Sequence, residues 1–224
     1  MIDLKLKIEA LMKGIDKENI TTRIKGLLEA YEVMFIYFGG SIAYGTYDTT
    51  SDKDLVVFVD GYNGFTHSDI DGYDLFIFGR EYMEKRFECD ESIPEYYTIF
   101  IDDKLALPTT LVYLNEKYKE DYNYFINFDL KKSLKKYLRA VYNYFMYEFV
   151  DNEIPSKRFY HVIRIYGQLI HYLDTHVLDL NMEKSIRSEM LLFKSHFNDP
   201  IGQKIYLSRI PEYLDFIKEM EGHI

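Results

Sequence analysis

The chain has 224 residues, 47% hydrophobic and 29% charged, which places it among globular chains long enough for one large core or two small ones, and outside the disordered class. Its formal net charge of −10 argues against a protein whose main task is to grip long nucleic acid, which takes a basic face. No apolar run reaches the roughly 18 residues of a membrane span, and the single cysteine, Cys89, excludes an internal disulfide and fits a reducing, cytoplasmic setting.

Met1 to Gly14 mixes Asp3, Lys5, Lys7 and Glu9 among Leu4, Ile8 and Leu11, so it reads as an amphipathic helix rather than a signal peptide. Gly14 breaks it from a second helix carried by Ile24, Leu27 and Leu28. Val33 to Phe38 is a continuous apolar, β-prone run that stops at Gly39-Gly40 and reads as a buried strand. Leu55 to Val59 reads as a second strand, Asp60 to Gly64 as a turn, and Tyr73 to Phe78, stopped by Gly79, as a third strand. His67 and the pair Asp69 and Asp71 fall between these strands in a predicted solvent-exposed loop. Arg80 to Glu88 reads as helix, Pro94 sits where another short helix can begin, and Cys89 reads as an inert structural thiol. Leu111 to Phe128 has no decisive pattern.

Asp129 to Val150 is predicted as a long helix with the apolar stripe Leu134, Leu138, Val141, Phe145 and Phe149. Tyr142, Tyr144 and Tyr147 are expected in its core, and Lys131, Lys132, Lys135, Lys136 and Arg139 on a solvated face, with an RNA-facing patch as the alternative. Asp151 to Ile154 is a break. Pro155-Ser156 opens a helix to about Thr175, and further helices are expected over Met182 to Phe197 and Pro211 to Glu221. The expected fold is α+β: a small mixed sheet with flanking helices over residues 1–108, then a helical unit over 109–224.

The chemistry concentrates between Phe38 and Phe78. Phosphoryl transfer from a nucleoside triphosphate needs the reacting phosphorus held in line and the charge on its oxygens neutralised, which paired Mg²⁺ ions on hard carboxylates accomplish. Asp52 and Asp54 are two apart where a strand begins, so alternation puts both on one face. Gly40 lets backbone approach a phosphate, and Ser41 adds a hydroxyl to the cradle or caps a helix that follows. Asp74, heading the third strand, is the candidate third carboxylate.

Gly40-Ser41, a gap of ten residues, then Asp52-Lys53-Asp54-Leu55 resembles the signature of the DNA polymerase β-like nucleotidyltransferase superfamily. The fuller pattern, Gly40-Ser41 to Gly45-Thr46 and Ser51-Asp52 to Leu55, is similar to the branch of stand-alone and RNA-repair-associated enzymes of bacteria and phages. The resemblance implies a metal-dependent enzyme using an NTP with Mg²⁺ or Mn²⁺. It implies Asp52, Asp54 and Asp74 as metal ligands and catalytic groups, and Gly40 and Ser41 as phosphate contacts. The acceptor it points to first is an RNA or tRNA 3′ end. A protein hydroxyl (adenylylation) or a small molecule of the aminoglycoside kind comes next, and a non-enzymatic binding or inhibitor protein on the same scaffold stands outside the class. Lys53 departs from the Tyr or Ile common in the pattern.

One more feature lies in the C-terminal half. Lys157, His161, Arg164, Gln168 and His171 fall within one narrow arc of a helix at about 100° per residue. A solvated face accounts for such an arc, and so does a cationic strip that contacts triphosphate or acceptor. The arc resembles a Lys-His-Arg helix of the same family, which implies nucleotide or phosphate binding by Lys157, His161 and Arg164.

Overall fold

The computed structural model describes residues 4–49, 51–70, 72–88, 108–151, 157–177 and 182–224; the expectations placed on Cys89, Pro94 and Pro155 lie outside them. The chain divides into two units, Met1–Leu130 and Lys131–Ile224. Residues 109–130, expected with the helical unit, fall in the first, because Leu111–Leu114 forms a strand of its sheet.

The first unit is a mixed sheet between two layers of helices. Strand β1 (Glu32–Phe38) lies antiparallel to β2 (Lys53–Asp60), β2 lies parallel to β4 (Tyr73–Gly79), and β3 (Phe65–Ile70) and β5 (Leu111–Leu114) form the edges, in the order β3-β4-β2-β1-β5. β1 is buried from Val33 to Phe38, as its unbroken apolar run requires of a strand covered on both faces.

Strand alternation sorts the remaining contacts. One face carries Ile36, Phe38, Leu55, Val57, Leu75 and Ile77, packed against Ile8 and Met12 of α1 (Leu4–Lys13) and Ile20 and Ile24 of α2 (Lys17–Leu27). Asp16 starts α2 by accepting the Asn19 N–H at 3.0 Å. The opposite face carries Phe35 and Phe58, stacked at 4.2 Å. Phe125 of α5 (Lys119–Asn127) covers Phe58 at 5.5 Å, and Phe87 of α4 (Arg80–Phe87) packs on Phe125 at 5.2 Å.

β3 overturns the expected loop. Its run Phe65-Thr66-His67-Ser68-Asp69-Ile70 is too polar to announce a strand, but an edge strand with one solvated side needs few apolar residues. His67 and Asp69 therefore stand on the sheet, opposite Phe76 and Asp74 respectively.

The second unit is helical: α6 (Leu130–Asp151), a 3₁₀ turn over Lys157–Phe159, α7 (Tyr160–Thr175), α8 (Lys184–His196) and α9 (Pro200–His223). Arg139 of α6 donates from Nε and Nη2 to Glu221 of α9 at 3.0 and 2.8 Å. Gly167 lets α7 approach α8, since a Cβ there would lie 2.8 Å from Ile186 Cγ2. α9 does not open at Pro211 as its sequence suggests. Asp199 caps it through the Ile201 N–H at 2.9 Å, Pro200 occupies the first turn where a missing N–H is harmless, and Pro211 lies inside the helix. The tyrosine cluster of α6 is also not core: Tyr147 is 73% exposed, and Tyr144 accepts from exposed Arg158 at 2.7 Å. Lys135 and Lys136 are exposed, while Lys131 and Lys132 have side chains outside the described residues. Among the described residues no helix is long and apolar enough to cross a membrane.

Candidate functional site

The site is built where β1 turns toward β2. The Phe38 carbonyl accepts the buried Thr110 hydroxyl at 2.7 Å, which fixes the end of β1. The chain then turns at once into α3 (Gly40–Ala43), and the Gly39 N–H donates to the Asp54 carbonyl at 3.0 Å, tying the turn to the start of β2. Gly40 has a φ of +51°, and a Cβ built on it would lie 1.6 Å from Asp54 Oδ2. The carboxylate thus rests on the bare Cα of this glycine, and both constraints demand glycine. Gly39, not Ser41, occupies the N-cap position, so the capping role considered for Ser41 does not hold. The Ser41 hydroxyl is instead buried and, among the described residues, has no hydrogen-bond partner. A buried hydroxyl in that state costs free energy until a ligand engages it. The loop closes through Thr46, whose N–H donates to the Ser41 carbonyl at 2.8 Å.

Asp54 and Asp74 are register partners on the parallel strands β2 and β4, so both side chains leave the same face. Both are half-buried, and Asp52, one residue ahead of β2, is exposed. Lys53 points to the other face, its ammonium 5.2 Å from the centre of the Tyr73 ring. The unusual lysine between the two aspartates therefore leaves the carboxylate face unaltered. Asp69 faces Asp74 from β3, so three aspartates line up across neighbouring strands. His67 Nε2 lies 3.7 Å from Asp74 Oδ1, and its ring packs on Phe76 at 4.9 Å. His67 and Asp69 are the residues that sequence reasoning missed; the alternation Phe65, His67, Asp69 after Gly64 was the available signal. Among the described residues no three His, Cys, Asp or Glu side chains form a ready-made metal cage.

Gly40, Ser41, Asp52, Asp54 and Asp74 belong to the first unit; Lys157, His161 and Arg164 belong to the second. Lys157 lies in the 3₁₀ turn, with its side chain outside the described residues. Arg164 and Gln168 are 1% and 2% exposed, so these two members of the arc do not lie on a solvated face, while His161 and His171 are half-buried. Arg164 Nη2 lies 2.9 Å from His161 Nδ1. Since a guanidinium can only donate, the imidazole accepts at Nδ1 and carries its proton on Nε2. Burial, followed by the charges of Arg164, Arg158 and Lys194, pushes the His161 pKa well below the usual histidine range.

That shift has a signed consequence. The unfolded chain protonates His161 as pH falls through about 6.5, whereas the folded chain resists. This contribution is fully present above that pH and is lost below it. The melting temperature is expected to fall between pH 7.5 and pH 5.5, and less steeply in His161→Gln. Parallel melting curves for the two proteins across that window would contradict the account.

No protein-family model matches the chain, and no curated protein matches it.

Proposed function

We propose that this protein is a metal-dependent nucleotidyltransferase of the polymerase β-like kind, which moves a nucleoside monophosphate from an NTP to an acceptor hydroxyl and releases pyrophosphate. The observation that carries this reading is the joint placement of Asp54 and Asp74 in register on one sheet face, with the Asp54 carboxylate seated on Gly40, the residue before Ser41, whose buried hydroxyl has no hydrogen-bond partner among the described residues.

The donors suit magnesium. Mg²⁺ takes hard oxygens and usually keeps several waters, sharing one or two carboxylates with substrate phosphates instead of filling an all-protein cage. Asp54 and Asp74 would hold it, with Asp52, exposed just ahead of β2, as the further candidate ligand, and when bound it would neutralise charge on the phosphate oxygens. Gly40 and Ser41 hold the β and γ phosphates. Asp74 takes the proton of the acceptor hydroxyl. The acceptor oxygen bonds to the α-phosphorus as the bond to the bridging oxygen of pyrophosphate breaks. For Lys157, His161 and Arg164 a phosphate-binding role is proposed on the resemblance alone, and Arg164, 1% exposed, would have to be uncovered to take it. The acceptor proposed first is an RNA 3′ end such as that of tRNA, followed by a protein hydroxyl and then a small molecule.

The test uses each α-labelled NTP with Mg²⁺ or Mn²⁺ and, separately, total tRNA and cell protein. One NTP should transfer label to one class of acceptor, and the same NTP with metal should raise the melting temperature above that with either alone. A stable rise without any transfer would make the protein a nucleotide-binding scaffold. Neither response with any NTP would overturn the reading.

A further inference from the structure

Directly behind the carboxylate face, on the other side of the sheet, lies a cavity of about 250 Å³. Its walls include Phe38, Ile42, Tyr47, Lys53 and Tyr73, with Leu11 and Ile15 lining it from the corner between α1 and α2. The placement follows from the pleat. Lys53 alternates with Asp52 and Asp54, and Tyr73 with Asp74, so each pair sends one side chain to each face. Ile42 follows Ser41, and Phe38 precedes Gly39, so the cavity backs onto the site through single peptide bonds.

We propose that this cavity binds a small planar aromatic anion. A cavity of about 150 Å³ suffices for one benzene ring, so this one has room for a fused pair or a substituted ring. Its lining supplies the flat surfaces of Tyr47, Tyr73 and Phe38, which favour stacked or edge-on rings. The charge preference comes from Lys53. Its ammonium rests over the Tyr73 ring at 5.2 Å and, among the described residues, forms no ion pair. Asp16, which also lines the cavity, accepts the Asn19 N–H at the start of α2 and, among the described residues, forms no ion pair with Lys53. A carboxylate on the ligand would therefore meet a cation whose other contacts are aromatic. The inference goes beyond the nucleotide reading and does not depend on it.

Fluorescence titration with 2-naphthoate tests it, with neutral 2-naphthylmethanol as the matched control. Naphthoate is expected to bind saturably to the full chain and at least tenfold more tightly than the alcohol, the advantage of a charge-assisted contact. Lys53→Met, which keeps the aliphatic stem, should remove that advantage, and Lys53→Arg should retain it, with circular dichroism confirming that both variants are folded. Non-saturable binding, equal affinity for acid and alcohol, or unchanged naphthoate affinity in Lys53→Met would each overturn the proposal. A failure of NTP binding would leave this outcome standing, because no nucleotide enters the titration.

Discussion

Asp74→Asn is expected to lower nucleotide transfer by about a hundredfold to a thousandfold, the scale of loss when one electrostatic contributor to a transition state is removed. The substitution keeps shape and hydrogen-bonding reach while deleting the charge that would hold a metal and accept a proton. It should not destabilise the fold. Asp54, Asp74 and Asp69 occupy successive register positions on neighbouring strands, which run about 5 Å apart. Like charges at that spacing repel by about 1 to 3 kcal/mol between the limits of bulk water and a protein surface, and half-exposed groups sit near the lower value. Neutralising the middle one should leave the melting temperature unchanged or slightly higher. Asp54→Asn should lose transfer to the same degree. Asp69→Asn is the discriminating control, because it relieves the same repulsion without touching an assigned role. If Asp69→Asn abolishes transfer while Asp74→Asn does not, the third carboxylate has been placed on the wrong strand.

The extent to which this site was legible varies by residue, for physical reasons. β1 and β2 are buried, so their sequences are nearly all apolar and their ends are marked by Gly39-Gly40 and Asp60. A run of that kind has few alternatives to a central strand. The positions of Asp54 and Asp74 followed from the same logic, since register on adjacent strands carries side chains to a common face. β3 was illegible because its stability comes from pairing with β4 and from Phe65 stacking on Phe78 at 4.8 Å, neither of which is a local property. The contact of His67 with Asp74 went with it. β5 was undecided for a similar reason: four residues are too few to establish a period, and its pairing with β1 joins residues 74 to 79 positions apart in sequence. In the second unit, the arc of His161, Arg164 and Gln168 was visible as a pattern, but a helical wheel cannot show whether a polar arc meets water or is covered. The start of α9 was misread because a proline is a helix-start signal wherever it occurs, and Pro200 and Pro211 both qualify locally.

Gly40→Ala should combine loss of transfer with loss of stability, and it tests the seat of the Asp54 carboxylate on the turn without changing any charge. At a φ of +51° an alanine pays the left-handed penalty of about 1 to 2 kcal/mol. That alone lowers the melting temperature by about 2 to 8 °C in a chain of this size. The second effect is steric: the new methyl would occupy the place of Asp54 Oδ2, 1.6 Å away, so the carboxylate must rotate off the turn. The metal-holding role proposed for it with Asp74 would then be lost, and transfer is expected to fall about as far as in Asp54→Asn. Gly26→Ala supplies the matched control, since that glycine lies in α2 with an α-helical backbone and nothing within 4 Å of an added Cβ. There the same substitution improves helix propensity by about 1 kcal/mol and should raise the melting temperature. Opposite signs at the two glycines, with activity lost only at Gly40, are the expected result. If Gly40→Ala melts and transfers nucleotide as the parent does, the Asp54 carboxylate is not seated on this turn and the phosphate cradle must be sought elsewhere.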